Sequence, residues 1–169
     1  MELWDAYDAE GNKQGFDLVR GQPVPAGSFH VVAEIAVRHA DGSLLLTRRD
    51  LNKPSYPGFW ELTAGGSVQK GEAWLDGAHR ELLEETGINA RELTPAFRIV
   101  RPQNRTIYVG YLCRYDGPKD GVTLQEGETI DYRWLTPQQL LAFVETPQFV
   151  DMQRQRWQGL LDQLKEEIA

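Results

Sequence analysis

The segment from Ala64 to Ile88 constrains this chain more than any other. It opens on Ala64-Gly65-Gly66 and enters a helical pattern that runs from Ala73 to Thr86. Leu75, Ala78, Leu82 and Thr86 recur at spacings of three and four, which places them on one face of a helix. Gly87 stands where a left-handed residue usually ends such a helix. Glu81, Glu84 and Glu85 fall at i, i+3 and i+4, so three carboxylates share a face. Like charges at that spacing destabilise an isolated helix by roughly 0.2–0.5 kcal/mol per pair. A compensating charge is required.

Arg80, four residues before Glu84, is one candidate. A hard divalent cation is a better one, because Mg²⁺ favours carboxylate oxygens and keeps water positions open. The Ala64-Gly65-Gly66 run can turn sharply and bring a backbone carbonyl to the same cation.

The rest of the chain reads as a mixed sheet with flanking helices. Residues 1–28 combine apolar residues with turn formers and predict an N-terminal hairpin and lead-in. Phe29–Arg38 and Ser43–Arg49 are β-rich and are joined by Asp41-Gly42, the signature of a tight hairpin. A loop over Lys53–Gly58 leads to a short strand at Phe59–Thr63. Strands are also predicted at Phe97–Arg101, Thr106–Tyr115 and Ile130–Leu135. Thr136-Pro-Gln-Gln139 supplies an N-cap, a proline at the first helical position and a capping-box glutamine. Trp157, Leu160, Leu161, Leu164 and Ile168 share one face of a C-terminal helix predicted over residues 148–168. No repeat or long linker divides the chain, so residues 1–169 read as one α/β (α+β) domain.

Composition narrows the partners. Eighteen basic against 25 acidic residues give a formal charge of −7, which argues against a nucleic-acid backbone as ligand. No apolar run approaches the roughly 18–20 residues that span a bilayer. Met1–Glu10 has neither a basic start nor an apolar stretch, so no signal peptide is expected. The lone cysteine, Cys113, cannot form an internal disulfide, and a reduced, cytoplasmic setting is expected.

The spacing over residues 66–88 is G-x5-E-x7-R-E-U-x-E-E-x-G-U, with U aliphatic: Gly66, Glu72, Arg80, Glu81, Leu82, Glu84, Glu85, Gly87 and Ile88. It resembles the Nudix box at every defined position. A chance match is on the order of 10⁻¹⁰ per starting position, which rules against an ordinary solvated helix face. The resemblance implies the Nudix fold, a mixed sheet sandwiched between helices. It also implies a hydrolase, dependent on Mg²⁺ or Mn²⁺, of small molecules containing a diphosphate linkage. Carried over residue by residue, Glu81, Glu84 and Glu85 hold metal beside the Gly65 carbonyl, while Arg80 and Glu72 brace those carboxylates. Gly66 and Gly87 support the site. The general base is Glu84 or, on a later loop, Glu128. Bound cations also answer a charge problem, since they make an acidic cleft attractive to phosphates.

Residues His30 to Arg49, with Lys53, Pro57-Gly58 and Trp60, resemble a narrower branch, isopentenyl diphosphate isomerase. That resemblance implies that Arg49 and Lys53 meet the diphosphate and that His30 binds metal. Gly65, however, occupies the position of the isomerase's catalytic cysteine, and Ser67 replaces a second metal-binding histidine. Glycine cannot supply a thiol. The reading is therefore a hydrolase on an isomerase-like scaffold, with isomerisation and a non-catalytic nucleotide-sensing module as the alternatives. A homodimer through the N-terminal segment or a sheet edge is compatible with the pattern.

Overall fold

The computed structural model describes residues 1–169. Nine strands come in the order β1 Leu3–Tyr7, β2 Lys13–Val19, β3 His30–His39, β4 Leu44–Arg49, β5 Trp60–Leu62, β6 Ala64–Ser67, β7 Leu93–Arg101, β8 Thr106–Tyr115 and β9 Thr129–Leu135. The helices are α1 Trp74–Thr86, between β6 and β7, then α2 Pro137–Phe143, α3 Asp151–Arg156 and α4 Gln158–Ile168. β1 and β2 form a separate antiparallel hairpin, tied to the main sheet by a bridge between Tyr7 and Phe29.

The main sheet runs β5-β4-β3-β8-β7, with β6 on β3 and β9 on β4. The pairing of β3 with β8 is parallel over ten residues, His30↔Thr106 to His39↔Tyr115, and the other pairings are antiparallel. Alternation along the strands sends side chains to two cores. Val31, Ala33, Ile35 and Leu45 pack against Ala78 and Leu82 of α1. Leu44, Leu46, Trp60 and Leu62 pack against Leu140 of α2 and Leu161 and Leu164 of α4. The sheet is thus sandwiched between helices, and each layer is buried by the periodicity of its own residues. No helix is long and apolar enough to cross a membrane.

Several local expectations need correction. The tight hairpin between the two β-rich runs survives only at its tip, where Arg38 faces Leu44. Below that point the strands separate, because β3 takes β6 as its neighbour over Val32–Ile35 and β4 takes β9 and β5. Buried Thr63 fills the fork: its hydroxyl accepts from the Val37 N–H at 3.0 Å and donates to the Leu45 carbonyl at 2.8 Å. Ala64-Gly65-Gly66 is no sharp turn but part of extended β6. β7 begins at Leu93 rather than Phe97; it lies at the sheet edge, where Pro95 is tolerated beside a break in register.

The C-terminal helix expected over 148–168 is two helices. Trp157 leaves helical geometry at φ −92°, ψ 16° and separates α3 from α4, while its own indole is buried among core residues. Leu161 and Leu164 are buried as the periodicity predicts, but Ile168 is half-exposed in the last turn. Leu75 is likewise exposed, and the buried face of α1 is instead Gly77, Ala78, Leu82, Glu85 and Thr86.

Candidate active site

The site forms where α1 lies across β6 and the end of β4. Gly87 ends α1 at φ 74° and donates its N–H to the Leu83 carbonyl at 2.9 Å, so Glu84 and Glu85 lie in the last turn of the helix. The opposite end begins at Trp74 without a side-chain cap; its entry is held by Glu72, whose carboxylate accepts from the Gln69 N–H at 2.8 Å.

The three box carboxylates occupy different environments. Glu84 is exposed, Glu81 is partly covered, and Glu85 is buried. Arg80 links the first two to Glu72. Its Nε donates to Glu72 Oε1 at 2.6 Å and its Nη2 to Oε2 at 3.0 Å, while Nη1 reaches Glu81 at 2.8 Å and Glu84 at 3.2 Å. Nη2 also donates to the Ser67 carbonyl at 3.1 Å. The Glu72 bond holds the Arg80 guanidinium even more firmly protonated than usual. Burial alone would raise Glu72, but the bonds from Arg80 and from the Gln69 amide leave its carboxyl below the ordinary range.

Glu85 has no such partner. Burial pushes its carboxyl well above the ordinary value, and the negative charges of Glu61, Glu81 and Glu128 push it further; the Gly65 backbone acts weakly the other way. Burial likewise lifts Glu81 and Glu61, against the pull of Arg80 on the first and Arg49 on the second. A crowd of buried carboxylates this close to one another is unfavourable unless positive charge enters among them. As the side chains stand, no three acidic, histidine or cysteine groups surround a single metal-sized point. The local cations are drawn in instead: Arg80 holds Glu81 and Glu84, Arg49 Nη1 holds Glu61 at 3.2 Å, and Lys53 Nζ pairs with Glu128.

The backbone makes room for this arrangement. Gly65 lies opposite Glu34 and Gly66 opposite Ala33 in the β6–β3 pairing. A Cβ on Gly66 would stand 2.5 Å from Glu81 Oε2, so only glycine lets that carboxylate lie over β6.

Arg49 and Lys53 both come to the carboxylate side. Arg49 also donates from Nη2 and Nε to the Ser55 carbonyl at 2.9 and 3.1 Å, which ties it to the loop over 50–58. Glu128 reaches the site because its carbonyl accepts the Asp50 N–H at 2.9 Å, joining its loop to the same segment. His30 stands apart from this cluster of charges: it stacks on Trp4 with centroids 4.3 Å apart, and its Nδ1 meets the Arg105 carbonyl at 3.2 Å. Burial depresses its pKa and so favours the neutral ring, against the opposing bond to the Arg105 carbonyl.

Two acidic residues of this region were not legible in the motif. Glu61 lies between buried Trp60 and Leu62 and turns to the opposite face of β5, toward Arg49. Glu34 is buried in β3, accepts from Gln153 Nε2 at 3.0 Å and Trp157 Nε1 at 2.9 Å, and pairs with Arg156. Their sequence signal is a single carboxylate interrupting an apolar strand.

A model of the NUDIX domain matches residues 28–154, most of the chain. The chain belongs to the Nudix hydrolases. A Nudix hydrolase of Listeria monocytogenes is 29% identical over 152 residues, which is 89% of each chain. A solved protein of Deinococcus radiodurans superposes with a TM-score of 0.74 at 22% identity, over 92% of this chain and 99% of that one. The Nudix domain of Shewanella oneidensis NrtR superposes with a TM-score of 0.60 at 18% identity, over 83% and 89%. Within this Nudix domain the box is the β6–α1 unit just described. The hairpin β1–β2 and helix α4 lie outside the matched span.

Proposed function

We propose that this Nudix hydrolase cleaves the diphosphate linkage of a nucleoside-diphosphate-linked or related small metabolite, by attack of water at phosphorus. The observation that carries the reading is buried Glu85, crowded by Glu61, Glu81 and Glu128 beside a strand left bare at Gly66. This all-oxygen donor set fits Mg²⁺ or Mn²⁺. Glu81, Glu84 and Glu85 would hold the ion, with the Gly65 carbonyl beside them. A divalent cation there supplies charge neutralisation at the phosphates and acidifies the attacking water.

The remaining work falls to the chain's own groups. Arg80 and Glu72 keep Glu81 and Glu84 oriented. Arg49 and Lys53 exchange Glu61 and Glu128 for phosphate oxygens, a favourable trade for guanidinium and ammonium groups. Glu84, the most exposed box carboxylate, and Glu128, freed when Lys53 turns to phosphate, are the two groups placed to take the proton of water. The Shewanella oneidensis Nudix domain was solved with ADP ribose, a ligand of the proposed class.

Isomerase-like chemistry is disfavoured on this scaffold. Gly65 offers no thiol, and His30 is committed to Trp4 and Arg105. The buried Cys113 thiol, lifted to about 11 by burial, is consistent with the reduced cytoplasmic setting that we also propose.

The test is phosphate or monophosphate release over ADP-ribose, sugar nucleotides, dinucleoside polyphosphates, coenzyme A, NADH and prenyl diphosphates, with and without Mg²⁺ or Mn²⁺. Turnover of at least one is expected, with a large loss of rate in Glu84→Gln. Wild-type rates in that variant on the best substrate would overturn the mechanism.

A further inference from the structure

The face of the sheet opposite the carboxylates carries a second constellation. Arg48 and Arg49 are neighbours on β4, at a break in its register with β9, and they reach different partners. Arg49 goes to Glu61; Arg48 goes to the side of Trp60, its partner in the β4–β5 pairing. There Arg48 Nε donates to the Gly58 carbonyl at 2.9 Å. Arg133 of β9 lies over the Trp60 indole, 4.3 Å from its centroid. Together with Leu51, Phe59, Trp60 and Pro147 these two arginines line a cavity of about 430 Å³.

Arg38, Arg49, Arg80, Arg154 and Arg156 are each neutralised by a carboxylate. Seven arginines pair with none, and of these Arg48 and Arg133 are the two that line this cavity. Asp131 lies opposite Arg48 in the β4–β9 register, but its Oδ1 accepts from the Tyr132 N–H at 2.8 Å instead. In a chain of net charge −7, two guanidinium groups left without acid at one cavity are set for an external anion. Leu51, Phe59 and Trp60 supply apolar surface beside polar Gln148 and the two arginines, and Leu51 at the rim is 64% exposed. Gly58, at φ 74°, keeps the mouth clear, since a Cβ there would stand 2.9 Å from Leu51.

The geometry points to a second binding site here, for a phosphomonoester with a flat or apolar body. The phosphate sits between Arg48 and Arg133, and the body lies against Leu51, Phe59 and Pro147. A cavity of this size holds a small organic ligand, and planar guanidinium groups match phosphate oxygens in pairs. The loop over 50–58 forms one wall of this cavity and, through Ser55 and Lys53, also holds the cations of the carboxylate site. If the proposed hydrolysis is correct, its products are phosphomonoesters, the same class of ligand. The second site itself does not depend on that reading.

Calorimetric titration of the full chain with adenosine 5′-monophosphate in EDTA tests the site without turnover or divalent metal. One saturable site is expected, at least tenfold weaker in Arg48→Gln and in Arg133→Gln and unchanged in Glu85→Gln. Adenosine and inorganic phosphate should each bind at least tenfold more weakly than the ester. Leu51→Asp, a change at an exposed rim residue, places a like charge beside the anion and should weaken binding similarly even if an arginine variant folds poorly. Absence of a saturable site, full affinity in folded Arg48→Gln or in Leu51→Asp, equal binding of inorganic phosphate, or loss of binding in Glu85→Gln would each overturn the proposal. Because no hydrolysis is measured, a negative result leaves the diphosphatase reading intact, and an inactive enzyme leaves this site measurable.

Discussion

Gly66 and Glu81 share one space: a Cβ on the glycine would stand 2.5 Å from Oε2 of the glutamate and closer still to the rest of its carboxyl group. The missing side chain on β6 is what lets a carboxylate of α1 lie over the strand. Gly66→Ala must therefore displace Glu81 or push β6 away from α1. Overpacking of this kind costs about 1–3 kcal/mol. A displacement of about 1 Å at a reacting centre costs on the order of 10²-fold in rate. The expected result is a folded protein with kcat reduced by about that factor and weaker Mn²⁺ binding, measured by turnover and by electron paramagnetic resonance.

Glu85 makes the metal-free protein sensitive to pH in an unusual direction. Its folded pKa is raised above the ordinary 4.5, chiefly by burial and then by Glu61, Glu81 and Glu128. The folded state then binds more protons than the unfolded chain once pH exceeds the unfolded value, so this group's contribution to stability falls as pH rises from there through the folded pKa. Glu61 and Glu81 are raised and act in the same sense. In EDTA the melting temperature should be lower at pH 8 than at pH 5, by about 2–4 °C for each kcal/mol involved. Mg²⁺ should recover it most at the higher pH. Glu85→Gln should flatten the profile and remove the metal response; an unchanged profile would refute the role given to Glu85.

Arg80 and Glu72 should behave as one unit. Removing the guanidinium leaves a partly buried carboxylate without its paired donors and frees Glu81 and Glu84 from their orientation. Arg80→Ala is expected to cost about 1–3 kcal/mol in urea unfolding, and Arg80→Lys to recover only part of it, since an ammonium cannot bond in parallel to both oxygens. A double-mutant cycle with Glu72→Gln should show coupling of about 0.5–3 kcal/mol. Additive effects would mean that the two do not act together.

Glu34 is the joint between the sheet and the C-terminal helices. It accepts from Gln153 and Trp157 and pairs with Arg156, while Gln153 Oε1 accepts the Leu62 N–H at 2.5 Å. Glu34→Ala leaves Arg156 without its counter-charge in a mostly buried position, a change that costs about 3–5 kcal/mol. Guanidinium unfolding should report that loss, and proteolysis should begin in the α3–α4 segment. Gln153→Ala should weaken the same segment by a smaller amount.

Features set by near neighbours along the chain were legible before any fold was known. The α1 pattern, its end at Gly87, the Thr136–Gln139 capping box and the strand Thr106–Tyr115 all appear where local spacing puts them. The box also announced that Glu72, Arg80, Glu81, Glu84 and Glu85 lie within reach of one another, because a helix fixes distances over four residues and Glu72 sits just before its first turn. What remained hidden depends on partners far along the chain. Glu61 and Glu34 look like stray charges in apolar strands until β4, β6 and the C-terminal helices are placed around them. The break at Trp157 follows from where that indole is buried, which no helical periodicity records.

The sequence by itself determined the helix, its terminal glycine and the chemistry of its carboxylates, since these rest on spacings of three, four and seven residues. Only the tertiary structure decided that β3 leaves β4 for β8 and β6, and that Glu85 is the carboxylate left without a cation. Strand pairing joins residues far apart along the chain, such as His30 with Thr106 and Leu44 with Leu135, through backbone bonds common to every residue type. Such bonds leave no mark on the order of the side chains.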